Sequence, residues 1–168
     1  MIQEAIEVGV IVERRVLNNR WVDHAWTPVA VLAGAPAALP WTVLDETPVA
    51  TRYYAGPSQL EFFASDTEMY RENLRAGQPS LWVSLRPVST PPGVSLRLVT
   101  ADPSEAEALT EPGTDIIEAV SMPPEIRDRL AAFVEAHHVD RPFVKRKRDR
   151  ADPEAFASRP PGMRNRGR

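Results

Sequence analysis

Apolar and polar residues alternate over residues 6–13, near the start of the chain. A period of two places successive side chains on opposite faces of an extended strand, so this segment is predicted to be a strand with one buried face. The Asn18-Asn19 pair that follows tolerates the positive φ angles of a tight turn. We therefore predict a long β-hairpin over residues 8–32, with a bulge or a sheet edge at Pro28, which cannot donate a ladder hydrogen bond.

Turn signals separate several further runs of strand character. These runs cover residues 41–44, 49–54, 59–63, 81–86, 94–99 and 116–120, with Gly56-Pro57 as the turn between the second and the third. The runs at 81–86 and 94–99 alternate most regularly, and we expect them to pair in antiparallel orientation. Many short strands between turns are typical of a meander that curls on itself. The predicted fold class is α+β, with a strongly curved antiparallel sheet or half-barrel of six to eight strands.

Three segments carry helix signals, at residues 66–77, 103–110 and 124–138. The last is the main C-terminal helix, because its apolar side chains fall on a single stripe. That stripe consists of Ile126, Leu130, Phe133, Val134 and His137. We expect this helix to cover the open face of the sheet. The residues predicted to be buried together in the core are Val83, Leu85, Leu96, Leu98, Leu130 and Phe133.

Two pairs of aromatic residues lie in the predicted strands. Trp21 and Trp26 are interpreted as core and rim aromatics, each of which needs a hydrogen-bond partner for its indole N–H. Tyr53 and Tyr54 are adjacent, so they face opposite sides of a strand. One tyrosine is therefore expected in the core and the other at the surface.

The composition is that of one globular domain. A length of 168 residues with 43% hydrophobic residues suits a single sizeable core. No apolar run approaches the roughly 20 residues that cross a bilayer, and the first ten residues lack the basic start of a secretory signal. The chain has no cysteine, which excludes disulfides and thiolate metal sites. These features predict a cytoplasmic protein that does not contact a membrane.

A net charge of −3 conceals a division along the chain. Residues 1–140 carry ten arginines, no lysine and twenty acidic side chains, which gives −10. Residues 141–168 carry ten basic and three acidic side chains, which gives +7. Such asymmetry is typical of an interaction tail. We predict a single α+β domain over 1–140 and a basic C-terminal arm over 141–168 that is disordered from residue 158 onward.

The basic arm is the predicted partner-binding segment. Its residues are Arg141, Phe143, Lys145, Arg146, Lys147, Arg148, Arg150 and Phe156. The two phenylalanines bracket the charged run and could anchor it, since exposed ion pairs alone contribute only about 0–1 kcal/mol each. Three interpretations stay open: docking on an acidic partner or on the protein's own acidic domain, binding of nucleic acid, or a solvated tail. The run lacks the interleaved aromatics of a base-stacking platform, so docking is favoured and nucleic acid is not.

Chemical motifs are scarce. The sequence contains no phosphate loop, dinucleotide fingerprint, zinc ligand set or serine elbow. A possible polar site is formed by His137, His138 and Asp140. Adjacent helical residues point about 100° apart, so the two histidines do not chelate one metal in the usual way. We predict no catalytic residue, no metal site and no cofactor.

One further signal is a resemblance that extends over about residues 8–156. The segments GVIVERR, NRWVDHAWTPVAVL, TRYYAG and HHVDRPFVKRKRDRADPEAF resemble a proteobacterial family of unknown function, domain of unknown function 3305. The resemblance implies an association with the loci of molybdenum-dependent formate dehydrogenase and its maturation factors. It implies no catalytic residues.

Taken with the residues, this resemblance suggests a non-enzymatic accessory protein. Its expected work is the maturation or assembly of a molybdenum-dependent enzyme such as formate dehydrogenase, through a protein partner with an acidic surface. The alternative is a small enzyme or ligand-binding protein that handles molybdopterin guanine dinucleotide. Nucleic-acid binding through the tail is the third hypothesis.

Overall fold

The computed structural model describes Met1, residues 3–142 and Val144, and it begins with the predicted hairpin. Strand β1 (Gln3–Val16) pairs antiparallel with β2 (His24–Ala33). The ladder shifts register beside Pro28, where the bulge was predicted. The connection is longer than a two-residue turn, because it spans residues 17–23. Within it, the Asn19 side chain accepts a hydrogen bond from the Trp21 N–H at 2.9 Å.

Two more strands complete the first sheet, which has the order β2-β1-β4-β3. They are β3 (Thr42–Glu46) and β4 (Ala50–Phe63), and β4 pairs with β1 over almost its whole length. The prediction of two short strands separated by a turn at Gly56-Pro57 is wrong. Gly56 instead adopts a φ of 125° inside one continuous strand, and the register shift beside it marks a bulge.

The remaining strands form a second antiparallel sheet, in the order β6-β5-β7. They are β5 (Ser80–Pro87), β6 (Val94–Thr100) and β7 (Ile116–Ser121). The expectation of one strongly curved sheet or half-barrel is therefore wrong, since neither sheet is closed or strongly curled. A helix separates β4 from β5, and the chain starts a new sheet after it. Strand β2 lies beside β7, and β4 lies beside β6.

Helices follow the strands at the three predicted places. A short 3-10 helix (Ala64–Asp66) leads into α1 (Thr67–Arg75). Asp102 caps α2 (Pro103–Thr110) by accepting a hydrogen bond from the Ser104 N–H at 2.7 Å. Helix α3 (Pro124–His137) is the predicted main helix. No helix among the described residues is long and apolar enough to span a bilayer.

The core lies between the two sheets and α3. Val83, Leu85, Leu130 and Phe133 are buried in it as predicted, and Leu96 packs against it half-buried. Leu98 is misassigned. The ladder between β5 and β6 shifts register so that Leu98 lies opposite Ser84, on the face away from the core. This irregularity reverses the alternation along β6 and places Val99 in the core instead.

The chain divides into two units, Met1–His138 and Val139–Arg168. The elements given above all belong to the first unit. Of the second unit, the structure describes residues 139–142 and Val144, which are exposed. The predicted basic run and the predicted disordered end lie outside the described residues.

Removal of a core side chain from α3 should destabilise the first unit strongly. Leu130 is fully buried, so we expect Leu130→Ala to lower the free energy of unfolding by about 2–5 kcal/mol. Urea denaturation followed by circular dichroism measures the change. Ala131→Gly on the exposed side of the same helix is the control, with an expected cost of about 1 kcal/mol from helix propensity. Equal costs for the two variants would show that α3 does not pack on the core.

Candidate functional site

The core-directed face of β1 becomes uncovered toward its C-terminal end. Val8, Val10 and Val12 are completely buried on this face. Arg14 continues the alternation half-buried, and Val16 is 60% exposed. Strand β1 has 14 residues and spans about 45 Å, whereas the eight residues of β5 span about 26 Å. We call the uncovered part of the first sheet the hairpin end; its residues on this face are Arg14, Val16, His24, Trp26, Trp41, Val43 and Tyr53.

Three aromatic rings pack together at the hairpin end. Trp26 lies opposite Arg14 in the ladder, and Tyr53 lies opposite Val12. The ring centroids of Trp26 and Trp41 are 5.7 Å apart, and those of Trp26 and Tyr53 are 5.6 Å apart. Trp41 and Tyr53 close the triangle at 6.1 Å. These distances lie within the range at which aromatic pairs attract one another beyond simple burial of area.

A cation covers this aromatic cluster. The guanidinium carbon of Arg14 is 5.8 Å from the centroid of Trp26 and 5.7 Å from that of Tyr53. Both distances allow a cation–π interaction, which contributes about 0.5–1 kcal/mol at exposed sites. His24 approaches the edge of Trp26 at 5.9 Å. The hairpin end therefore presents rings and a positive charge side by side.

Trp41 holds its place in the cluster with a strained backbone. Its φ of 67° is in the left-handed region, which disfavours every residue with a Cβ. The Trp41 N–H donates to the Tyr54 carbonyl, and the Thr42 hydroxyl donates to the Leu39 carbonyl at 2.6 Å. These bonds fix the loop that carries the indole ring onto Trp26. Strain of this kind often occurs at binding sites.

Exposed apolar side chains lie in the strands and connections that carry the cluster, and we call them the apolar rim. The rim consists of Val16, Trp21, Val22, Leu39, Val43, Leu44 and Val49. The N–H of Val16 donates to the carbonyl of Val49 at 2.8 Å, which ties the end of β1 to the turn between β3 and β4. Among the residues that the structure describes, the only other large apolar side chains this exposed are Met1, Val139 and Val144. Strand β3 is also an edge strand in which all five residues are exposed.

The opposite face of the hairpin end carries a buried carboxylate. Glu13 is only 8% exposed and accepts hydrogen bonds from Arg15 at 2.9 Å and from Arg52 at 3.1 Å. The hydrogen bond from Arg52 has the largest effect on the pKa of Glu13 and lowers it. Burial acts in the opposite direction and raises this pKa. This ion triad links β1 to β4 behind the aromatic cluster.

Two residues of the predicted polar site, His137 and His138, lie at the end of α3. The His137 ring packs on Phe133 with centroids 4.7 Å apart. His138 follows the end of α3, and its Nδ1 is 3.1 Å from the hydroxyl of Thr67, at the start of α1. The possible polar site of His137, His138 and Asp140 stays a prediction. Within the part of the chain that the structure describes, no three His, Cys, Asp or Glu side chains are grouped so that they could hold a metal ion.

The role of the basic arm in binding a partner stays a prediction. Asp140 and Arg141 are exposed residues of the second unit. The other predicted partner-binding residues lie outside the described residues: Phe143, Lys145, Arg146, Lys147, Arg148, Arg150 and Phe156.

Sequence reasoning placed the aromatic residues only in part. Tyr53 and Tyr54 face opposite sides, as predicted, but neither is at the surface: Tyr54 is buried at 2% exposure, and Tyr53 packs half-buried against the core. Trp26 is nearly buried while Trp21 is 86% exposed, in agreement with a core and a rim role. The cluster itself was missed, because Trp41 joins it through a left-handed residue in a loop that no alternation pattern predicts. The ladder partner of Arg14 also depends on the connection over residues 17–23, which is longer than the tight turn predicted at Asn18-Asn19.

Comparison with known proteins gives a family and no activity. A family described as protein of unknown function (DUF3305) matches residues 7–147. This range contains the complete hairpin end, the second sheet and the first sheet from Glu7 onward. No curated protein and no solved structure matches the chain.

The ion triad should make stability fall in acid. Glu13 has a lowered pKa in the folded protein, so its contribution is present at neutral pH and is lost as the pH falls below its ordinary value of 4.5. We expect Glu13→Gln to cost about 1 kcal/mol at pH 7 and much less at pH 3, since its arginine partners are more than half exposed. Urea melts at both pH values measure the difference. A cost that is the same at both pH values would contradict the role of the charge.

The strain at Trp41 predicts an unusual order of stabilities. Trp41→Ala and Trp41→Gly both remove the ring, but only glycine adopts a positive φ freely. We expect the glycine variant to be the more stable by about 1 kcal/mol in urea denaturation. At Val43 in the adjoining strand, alanine should be more stable than glycine. The same order at both positions would show that Trp41 is not held in the left-handed region.

Proposed function

Because the chain belongs to the DUF3305 family of proteins of unknown function, we propose a role from the structure itself: a non-enzymatic interaction protein that binds another protein through the hairpin end. The observation that carries this proposal is the exposed apolar rim around a cluster of Trp, Tyr and Arg. Large apolar side chains that are exposed together mark interaction sites in folded proteins. Tryptophan, tyrosine and arginine are also the residues that most often dominate binding energy at interfaces.

The form of the site favours a macromolecular partner over a small ligand. Arg14 already covers the faces of Trp26 and Tyr53, so the cluster offers a filled surface instead of an open aromatic cage. The rim extends over five segments of the first sheet: the end of β1, the β1–β2 connection, the β2–β3 connection, β3 and the β3–β4 turn. A partner with an apolar patch and one carboxylate would bury the rim and pair with Arg14. This arrangement of an apolar centre and a polar contact is typical of protein interfaces.

For the partner, we propose a molybdenum-dependent enzyme during its maturation or assembly, with formate dehydrogenase as the first candidate. This part of the proposal rests on the sequence resemblance. An immature enzyme exposes apolar surface that is buried in the finished one, and an accessory protein with an exposed apolar rim suits such a surface. The basic arm could add a second contact with an acidic region of the same partner.

The test is binding to cofactor-free formate dehydrogenase from the organism that carries this chain. We expect Val43→Asp and Val16→Asp each to weaken binding by about 30-fold, since a buried charge at an interface centre costs about 2 kcal/mol or more. Both side chains are at least half exposed, so the fold should survive. The matched control is Val139→Asp, a 73% exposed valine outside the hairpin end. Biolayer interferometry gives the affinities, and circular dichroism checks the fold.

Three outcomes would contradict parts of this proposal. If Val139→Asp weakened binding as much as Val16→Asp and Val43→Asp do, the hairpin end would not be the specific binding site. Binding that survives both hairpin variants, but is lost when Lys145, Arg146, Lys147 and Arg148 become alanine, would place the contact in the basic arm. No binding of the unaltered chain would refute formate dehydrogenase as the partner.

A further inference from the structure

The other end of β1 has an unpaired backbone edge. Strand β4 pairs with β1 from Gln3 to Arg15, but β2 pairs with it only from Gly9 onward. Beyond that point Gly34 makes a single parallel bridge to Val8, and β2 has ended. One edge of residues 3–7 therefore meets no strand among the described residues. Backbone N–H and C=O groups on such an edge are a template for another strand.

A cleft of about 520 Å³ runs along this edge. Ala5, Ile6 and Glu7 of β1 form one side, and Glu125, Ile126 and Arg129 of α3 form the other. Ile126 is buried and Ile6 is half-buried, so the cleft has an apolar floor. The five residues of the free edge extend over about 17 Å, the usual length of a strand. The cleft thus combines a strand edge with a helix that walls it.

The charge of the cleft is negative. Arg129 donates to Glu4 at 2.9 Å from Nε, so its own charge is already compensated. Glu7 and Glu125 line the cleft, and neither has a cationic side chain within ion-pair distance among the described residues. An entering chain would therefore meet two uncompensated carboxylates, one from each wall.

A buried hydrogen-bond donor lies over Gly9, two residues beyond the free edge. Tyr54 is 2% exposed, and its hydroxyl has no hydrogen-bond partner among the described residues. The ring lies over Gly9, where a Cβ would approach Tyr54 Cε2 to 3.0 Å and the Gly34 carbonyl to 3.3 Å. Burial raises the pKa of Tyr54, and the negative charge of Glu7 raises it further. The hydroxyl therefore keeps its proton and can donate a hydrogen bond. A buried donor left unpaired is costly.

We propose that this cleft binds an extended basic segment of a partner protein, which adds as a strand to the free edge of β1. Main-chain hydrogen bonds to residues 3–7 would supply affinity, in the manner of strand addition. A lysine or arginine of the segment would lie between Glu7 and Glu125, and an alternate apolar side chain would rest on Ile6 and Ile126. The site is separate from the hairpin end, because it occupies the opposite end of β1.

Three synthetic hexapeptides test the proposal with the full chain. The first is acetyl-Lys-Val-Lys-Val-Lys-Val-amide, the second has glutamate in place of lysine, and the third has proline in place of the valines. We expect the first alone to bind at about 0.15 M ionic strength, because the second is repelled and the third lacks half of its backbone donors. Amide hydrogen exchange should slow at residues 3–7 on binding. Equal binding of all three peptides, or protection elsewhere, would overturn the proposal.

A matched pair of variants tests the charges. Glu7→Gln combined with Glu125→Gln should weaken the lysine peptide at least about tenfold. Glu135→Gln, an exposed residue of the same helix outside the cleft, should leave its affinity unchanged. If the lysine peptide bound the double variant and Glu135→Gln with equal affinity, it would not bind between Glu7 and Glu125. Self-association of the unaltered chain that the double variant abolishes would assign the cleft to a second copy instead. Neither result depends on binding at the hairpin end.

Discussion

The antiparallel ladder between β1 and β4 is the interaction on which the rest of this structure depends. It joins residues 3–15 to residues 50–63, and it is the longest strand pairing among the described residues. Every other strand of the first sheet attaches to one of these two. The three valines that β1 directs into the core and the Leu60 and Phe62 of β4 form the surface on which the second sheet and α3 pack. Because the ladder is longer than the elements that cover it, its two ends are left open.

The two open ends differ in chemistry. At one end the uncovered face carries rings, branched apolar side chains and one arginine, with the Glu13 triad behind it. At the other end it is the backbone that is uncovered, and the charges around it are carboxylates. An apolar face and an open backbone edge recognise different things, the first a folded surface and the second an extended chain. The length of β1 thus leaves two separate surfaces of opposite electrostatic character, one where the second sheet ends and one where β2 ends.

Much of this fold was predictable from local pattern. The alternation of Val8, Val10 and Val12 and the stripe of Leu130 and Phe133 have the periods of a strand and a helix, and both proved to be core. Gly56-Pro57 misled because the same pair that ends a strand in isolation can form a bulge when a neighbouring strand holds it. The family was recognised correctly from the sequence, but its link to molybdenum enzymes stays a proposal.

The candidate site was harder to predict, since it depends on which strand lies next to which. Arg14 reaches Trp26 and Tyr53 only because β1 lies between β2 and β4. A single sequence contains no information on that order when the intervening turns have irregular lengths. The sequence indicates the basic arm, where charge is concentrated, whereas the structure indicates the aromatic end of the first sheet around Arg14.

The order of strands in the first sheet also affects the order in which they pair during folding. Strand β1 meets β2 across a short connection, but its other neighbour, β4, ends only at Phe63. Contacts between distant parts of a chain form slowly, because a long loop must close before they stabilise anything. During synthesis the hairpin of β1 and β2 therefore emerges first, with one whole edge of β1 and its valines exposed until β4 arrives. The segment that later organises the core is, for that interval, the part of the chain with the greatest tendency to pair wrongly.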